Sequence, residues 1–429
     1  MTAAHTWRTD KQSPDMKTHY DFVLAGGGLA GLSLACRLAE TPVFDQHSIL
    51  IVDQDAKTRN DRTFSFWSDQ PGPFDAAISR SWDRLRVAGP HGVQDLDLGA
   101  YCYHTIRGLD FYRHAQQRLA QSTNVELRRG HVQRIDDGAD AATVLVDGEA
   151  ITATWVFDSR PSHLAAQADD DRHTRLKLYF RGWEVETPAA AFDPGVATFM
   201  DFRTPQDGDV RFFYVLPFAP DRALVENTLF TDQPLTREDT EQAIVTYIQS
   251  TLGITDFRVV AEEGGCLPIT DAPFPRHLGR RVLAIGINGG RIKPSTGYAF
   301  SRVQDDSAAI VQSLLDHGHP FALPACPLRY GWLDAVMLRV MRDHSEAIAP
   351  AFAALFKRNP MARVLRFLDE QAAVVDILRI MASLPVPLFV GTVLELAVGQ
   401  RGNVRERGME AKGSKAEKGG LRPRKLRPA

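Results

Sequence analysis

Residues 20–53 read Y-D-F-V-L-A-G-G-G-L-A-G-L-S-L-A-C-R-L-A-E-T-P-V-F-D-Q-H-S-I-L-I-V-D, and this order decides the fold. Asp21 to Ala25 is an apolar run of strand length. Gly26-Gly27-Gly28-Leu29-Ala30-Gly31 then completes a G-x-G-x-x-G. Leu32, Leu34, Ala35, Leu38 and Ala39 follow at helical spacing as far as Thr41-Pro42. A second apolar run, Ser48 to Val52, closes on Asp53, 22 residues after Gly31. Each part has a physical task. The first glycine allows a tight turn, the second lets backbone approach a pyrophosphate, and the third lets helix and strand pack closely. Amide groups at the helix start then meet phosphate. Asp53 is placed to accept from a ribose hydroxyl pair, and its charge disfavours a 2′-phosphate. A lone glycine motif is weak, but strand, helix, second strand and terminal acid stand here in register.

Beyond Asp53 the chain does not continue as a simple alternating βα domain. Thr58 to Arg62 is a polar loop, followed by the aromatic run Thr63-Phe64-Ser65-Phe66-Trp67. Ile106 to Ala120 reads as a helix. Val125 to Phe157 alternates in short strands with turns at Asp137-Gly138 and Asp147-Gly148, a β-meander ending in the polar turn Asp158-Ser159-Arg160-Pro161. Leu176 to Leu267 is mostly strands (176–185, 197–202, 211–217, 222–229) with a helix over 237–252. A buried strand then runs into glycines again, Val282 to Gly290, and Lys293-Pro294-Ser295-Thr296-Gly297-Tyr298 leads to a helix over about 299–315. A second helix N-terminus can receive another polar part of a dinucleotide.

This order predicts an α/β protein: a Rossmann-type, flavin-binding domain of the hydroxylase-like kind, interrupted by an antiparallel β domain that walls an apolar chamber. The expected divisions are 17–165 for the first part of the dinucleotide domain, 170–270 for the β-rich domain, 275–320 for the returning segment and 325–400 for C-terminal helices. Phe352, Leu355, Phe356, Leu365, Phe367, Leu368 and Ile377 form a helical stripe. It reads either as core or as a face touching membrane or substrate.

Composition narrows the function. The 429 residues carry 50 Lys/Arg against 53 Asp/Glu, a net charge of −3, which argues against a basic nucleic-acid binder. Ten Lys/Arg and three Asp/Glu fall within 401–429. That stretch reads as a disordered basic tail, either an arm for an anionic membrane surface or a solubilising extension. Cys36, Cys102, Cys266 and Cys326 lie far apart, so neither a disulfide framework nor a thiolate zinc site is expected, and a reducing compartment fits. The histidines form no metal motif, so no metal is expected. The start has no secretory pattern, and a second start at Met16 would make residues 1–15 dispensable. The most apolar stretch, 384–398, is broken by Pro385, Pro387 and Glu395; it could lie on a bilayer but not cross it.

Three blocks are more specific. Lys293-Pro294-Ser295-Thr296-Gly297-Tyr298-Ala299-Phe300 is one. Phe212-Phe213-Tyr214-Val215-Leu216-Pro217-Phe218, followed by Arg222-Ala223-Leu224-Val225-Glu226-Asn227-Thr228, is another. Phe367-Leu368-Asp369-Glu370 with Met381-Ala382-Ser383-Leu384-Pro385 is the third. Together with the glycine motif, over about 16–396, they resemble the lycopene cyclase family of carotenoid biosynthesis. The resemblance implies a redox-neutral isomerase that closes the ψ-ends of lycopene into β-ionone rings. It implies reduced FAD as cofactor, with NAD(P)H as reductant. It also implies a cytoplasmic enzyme resting peripherally on the inner face of the cell membrane. Two departures stand out: Thr63-Phe64-Ser65-Phe66-Trp67 in place of the family's T-W-S-F-H order, and Gly286-Ile287-Asn288 without the G-D pair of flavin hydroxylases.

Cyclising a polyene requires proton delivery to an alkene, ring closure through a tertiary cation, and exclusion of water. Glu226, at the apolar strand end Leu224-Val225, is the candidate acid and base; the resemblance places an essential acid there. On its residues alone, the reading that it ties a turn through Asn227 and Thr228 is the stronger one. Gly26, Gly28, Leu29, Ala30, Gly31, Asp53, Arg62, Asp158, Gly286, Gly290 and Gly297 are the expected cofactor contacts. Phe212, Tyr214, Phe218 and Asp201 are the expected substrate contacts, although Asp201 could instead pair with Arg203, and alternation sends about half the aromatics into the core. Glu262 and Glu263, before Gly264-Gly265, read as surface residues at a turn. A flavin reductase, a monooxygenase and a non-catalytic carotenoid-binding module remain as rival functions.

Overall fold

The computed structural model describes residues 7, 17–90, 92–160, 173–233, 235–385 and 387–393. The basic tail over 401–429, nearly all of 1–15 and the end of the first expected division lie outside them. The stretch over 20–53 forms the strand His19–Ala25, the helix Leu29–Ala39 and the strand Ile49–Asp53. The two strands pair in parallel, Phe22 opposite Ile49 and Ala25 opposite Val52. Side-chain alternation divides the core between the two faces of this sheet. Phe22 and Leu24 pack with Leu32, Leu34 and Leu38 of the helix, whereas Val23 and Ala25 pack with Val132, Val144 and Ile151.

This first sheet has the order Val125–Arg129, Ile49–Asp53, His19–Ala25, Glu149–Asp158, Ala142–Val146 and Val132–Asp136. The last three form the expected antiparallel meander. Val282–Ala284 joins it in parallel beside Glu149–Asp158, so the chain returns to this sheet after building a second one. Helices Leu29–Ala39, Gly108–Leu119 and Phe300–His317 cover its outer face. The helix expected from Ile106 begins at Gly108, because Cys102–Arg107 is a strand, paired with Thr63–Ser68 and Arg80–Trp82 in a small third sheet.

The second sheet has the order Arg258–Thr270, Arg175–Glu186, Arg222–Thr231, Val210–Ala219, Ala197–Asp201, Arg84–Gly89 and Gly92–Asp97. It is antiparallel except where Ala197–Asp201 meets Arg84–Gly89. Its last two strands come from the segment between Asp53 and Gly108, which its pattern did not reveal. The expected turn at Gly264-Gly265 is absent: both lie inside the 13-residue strand Arg258–Thr270. The reason is steric. A Cβ on Gly265 would sit 2.7 Å from Cζ of Phe180 on the neighbouring strand, so glycine makes room for the ring.

One face of the second sheet carries Arg237–Thr246, capped by Thr236 and Asp239, and its π-helical extension Tyr247–Thr251. Ile244, Tyr247 and Ile248 pack there on Val185, Phe213 and Val225. The other face meets the helices Leu328–Asp343, Ile348–Arg358, Met361–Leu368 and Val374–Ser383. Phe352, Leu355, Phe356 and Leu365 are buried with Phe199, Phe202 and Phe212, so most of the helical stripe is core. Val374, Val375 and Leu378 remain exposed. Among the described residues no single helix is long and apolar enough to cross a membrane.

Candidate active site

The glycine loop works through its backbone. Gly26 has φ +116°, a region L-residues rarely adopt, and its N–H donates to the Val52 carbonyl (2.8 Å). A Cβ on Gly31 would lie 1.9 Å from the Gly26 carbonyl oxygen, so this glycine sets the approach of helix to strand. A Cβ on Gly28 would meet nothing within 4 Å. The space above it belongs to a cavity of about 900 Å³, bordered also by Leu29, Ala30, Asp53 and Arg62. The start of a second helix, Ala299 and Phe300, opens onto the same cavity, as do Gly286 and Gly297. Open backbone beside one helix start, a second helix start and a strand-end acid fit a dinucleotide, since helix N-termini favour phosphate.

Asp53 does more than face the cavity. Its Oδ2 accepts from the Gly27 N–H (2.7 Å), its Oδ1 from the Asp55 N–H (2.8 Å), and Lys57 lies 3.3 Å away. The carboxylate thus braces the glycine loop and keeps lone pairs for a ribose. Three expected cofactor contacts lie off the cavity wall. Gly31 acts through packing. Asp158 is 1% exposed and grips Arg160 through two bonds of 2.9 and 3.0 Å, and it is Arg160 that reaches the cavity. Gly290 turns with φ +68° against Phe274. Lys293 is also structural: nearly buried, it bridges Asp334 (3.1 Å) and Glu370 (3.0 Å), tying its motif to the C-terminal helices.

The far end of the cavity is apolar, walled by Leu178, Phe180, Leu216, Leu224 and Leu267. Strand register aligns four residues across it: Tyr214 opposite Glu226, Glu226 opposite Gly182, and Gly182 opposite Glu263. Directly opposite residues in a sheet share a face. Glu226 lines the cavity, and burial, then the neighbouring Glu263, push its carboxyl well above the usual range. Glu263 is 5% exposed, not a surface residue; its Oε2 accepts from the Thr63 hydroxyl at 2.8 Å. Tyr298 stands over this end with its hydroxyl 3.1 Å from that of Tyr214 and 3.2 Å from that of Tyr103. Burial raises all three phenols, Tyr103 to about 12, so they stay neutral.

Of the expected substrate contacts, only Tyr214 reaches the cavity. Phe212 shares its face but is covered by Phe202 at 5.5 Å. Phe218 lies beyond an irregularity in the strand, under the Arg107 guanidinium at 5.2 Å. Asp201 faces the opposite layer, bonded to Arg203 (2.7 Å) and to the hydroxyl of Tyr247 (2.7 Å), whose ring stacks on Phe213. Tyr247→Phe therefore lowers stability by about 1.5–3 kcal/mol, the worth of a hydrogen bond to a charged group, and leaves dinucleotide uptake unchanged. Thermal melting and bound-cofactor absorbance check both halves.

The model of the family described as lycopene cyclase protein matches residues 21–392. The lycopene beta-cyclase of Pseudescherichia vulneris is 26% identical over 289 residues, 65% of this chain and 70% of that protein. Among solved structures, a geranylgeranyl bacteriochlorophyll reductase-like protein from Thermoplasma acidophilum superposes with a TM-score of 0.58 at 14% identity, covering 88% of this chain and 99% of that one. A flavoprotein/dehydrogenase from Cytophaga hutchinsonii gives 0.59 at 10% identity, covering 85% and 99%. At such identities these structures speak for the fold, and the fold is that of the hydroxylase-like flavoproteins.

Proposed function

The chain belongs to the lycopene cyclase family, and from that premise we propose that it closes the ψ-ends of lycopene into β-ionone rings without net oxidation or reduction. One observation carries the reading: a buried carboxyl, Glu226, raised well above the usual range by burial, lines the apolar part of the same cavity that the glycine loop and Asp53 border. FAD in its reduced form, kept so by NAD(P)H, would supply a fixed negative charge beside a developing cation. Gly26, Gly28, Leu29, Asp53 and Arg62 would hold it, with Gly286 and Gly297 at its far side.

Glu226 gives its proton to the terminal alkene, which becomes a tertiary cation; the neighbouring double bond attacks it, the six-membered ring closes, and the positive charge passes to a second tertiary carbon in the ring. A proton lost from the adjacent carbon returns to the Glu226 carboxylate, so substrate and product are isomers. Phe180, Tyr214 and Tyr298 line the cavity, and a ring face turned to the cation would be worth about 0.5–2 kcal/mol. Leu216, Leu224 and Leu267 keep out the water that would trap the cation.

Expression in lycopene-producing bacteria, with pigment chromatography and mass spectrometry, tests this. A cyclic product of unchanged mass supports it. A gain of two hydrogens would make the chain a reductase, added oxygen a monooxygenase, and unaltered bound pigment a binding module.

Because lycopene resides in lipid, the protein is expected on the inner face of the cell membrane, held peripherally. The exposed Val374, Val375 and Leu378 accord with surface contact. Washing membranes with carbonate or concentrated salt should release it; a strict need for detergent would contradict peripheral attachment.

A further inference from the structure

We propose that Glu226 and Glu263 form a carboxyl pair holding a single proton, and that Gly182 is the gap through which the two side chains meet. The proposal rests on Glu226 being the acid of the reaction above. The strands bearing these residues are not neighbours: Arg175–Glu186 runs between them. Two strand spacings separate their backbones by about 10 Å, and any side chain on the middle strand would stand between them. The residue opposite both is Gly182. A Cβ there would come within 3.1 Å of Glu263 Cγ, 3.4 Å of Glu226 Cβ and 2.8 Å of Leu224 Cδ1. With no Cβ there, the middle strand leaves a gap through which the two carboxyls act on each other, and we assign a shared hydrogen bond to them.

Such a bond needs a proton, because two carboxylates are acceptors only. Donors decide where it resides. Glu263 Oε2 takes the Thr63 hydroxyl (2.8 Å) and lies 3.5 Å from the Asn60 amide, and the Arg107 charge is near. Its buried Oε1 receives, among the described residues, no N–H and no Ser, Thr or Tyr hydroxyl, which leaves it for an acid proton. Among the described residues, the one hydroxyl or N–H donor to Glu226 is the distant Thr228 hydroxyl, at 3.5 Å, and leucines line the cavity around it. Burial raises Glu263 too, but its donors and the Arg107 charge work against that rise, so Glu263 is the half that ionises first and Glu226 the half that keeps the proton.

The other titratable groups facing Glu226 are Tyr103 and Tyr214, with Tyr298 bonded to both, and all three stay neutral. Arg62 and Arg107 face Glu263. Among the described residues, Glu263 is therefore the charge that holds the proton on Glu226. Removing it, or wedging the pair apart, must lower the pH at which Glu226 ionises.

The test is infrared titration of the protonated-carboxyl stretch in purified full-length protein, with the band assigned by its loss in Glu226→Gln. The wild-type band should persist through neutral pH. In Glu263→Gln and in Gly182→Ala its midpoint should fall by about one unit or more, the coupling expected of carboxyls sharing a proton. The alkaline limb of kcat/KM should fall with it. The three atoms nearest the added methyl of Gly182→Ala belong to side chains rather than backbone, Leu224 Cδ1, Glu263 Cγ and Glu226 Cβ, so this variant decides the matter if Glu263→Gln does not fold. Unchanged midpoints in the folded variants, or no wild-type band at pH 7, would overturn the pair. Absence of cyclic pigment from the wild-type protein, with the variants' bands shifting as described, would instead sink the cyclase reading and leave the pair standing.

Discussion

Glu226→Gln is expected to lower ring formation by about 10²–10⁴-fold, the range lost with a general acid, while the protein still folds and takes up flavin. The amide keeps the volume and can bond to Glu263 as a donor, but it has no proton acidic enough for an alkene. Glu226 lies at the apolar end of the cavity, across from the glycine loop that would hold the dinucleotide. Cofactor absorbance and melting temperature should therefore match the wild type. The measurement is product formed per bound flavin in detergent-dispersed lycopene. Substantial turnover by this variant would remove Glu226 from the mechanism.

The second large effect concerns Gly31. Its missing Cβ would lie 1.9 Å from a backbone oxygen, that of Gly26, and 3.0 Å from the carbonyl carbon. Backbone cannot swing aside as a flexible side chain can, so Gly31→Ala must push the helix Leu29–Ala39 off the strand it packs on. Overpacking typically costs about 1–3 kcal/mol, and this position belongs at the upper end or above. Flavin content should fall as well, because the displaced helix start borders the cavity. Gly28→Ala separates the two consequences. Its Cβ meets no atom within 4 Å, so it should melt normally yet bind flavin poorly, its methyl group filling the space of a phosphate. Equal melting temperatures for Gly31→Ala and wild type would contradict this account of the loop.

These two positions differ in how they could be known. Gly31 declares its task in the linear order of residues, because helix, glycine and strand are contiguous. The same holds for Asp53 at its strand end, for the meander over 125–158, and for the return at Val282. Glu226 was legible as a candidate through its apolar neighbours and the block around it. Glu263 was not: two glycines after it suggest a turn, and only the next strand, with the Phe180 carbonyl against Gly264 and its ring against Gly265, explains them as strand residues. Phe212 and Phe218 have the right chemistry and period, yet one is roofed by Phe202 and the other displaced by an irregular strand end.

From sequence alone came the dinucleotide fold and its interruption by a β-rich sheet, because each rests on short-range periodicity and backbone freedom; Glu226 became the candidate acid through the family resemblance of the block around it. The packed chain decided which carboxyl keeps a proton and which aromatics see the cavity. Those properties depend on cross-strand register and burial, and both arise only when segments distant along the chain are brought side by side.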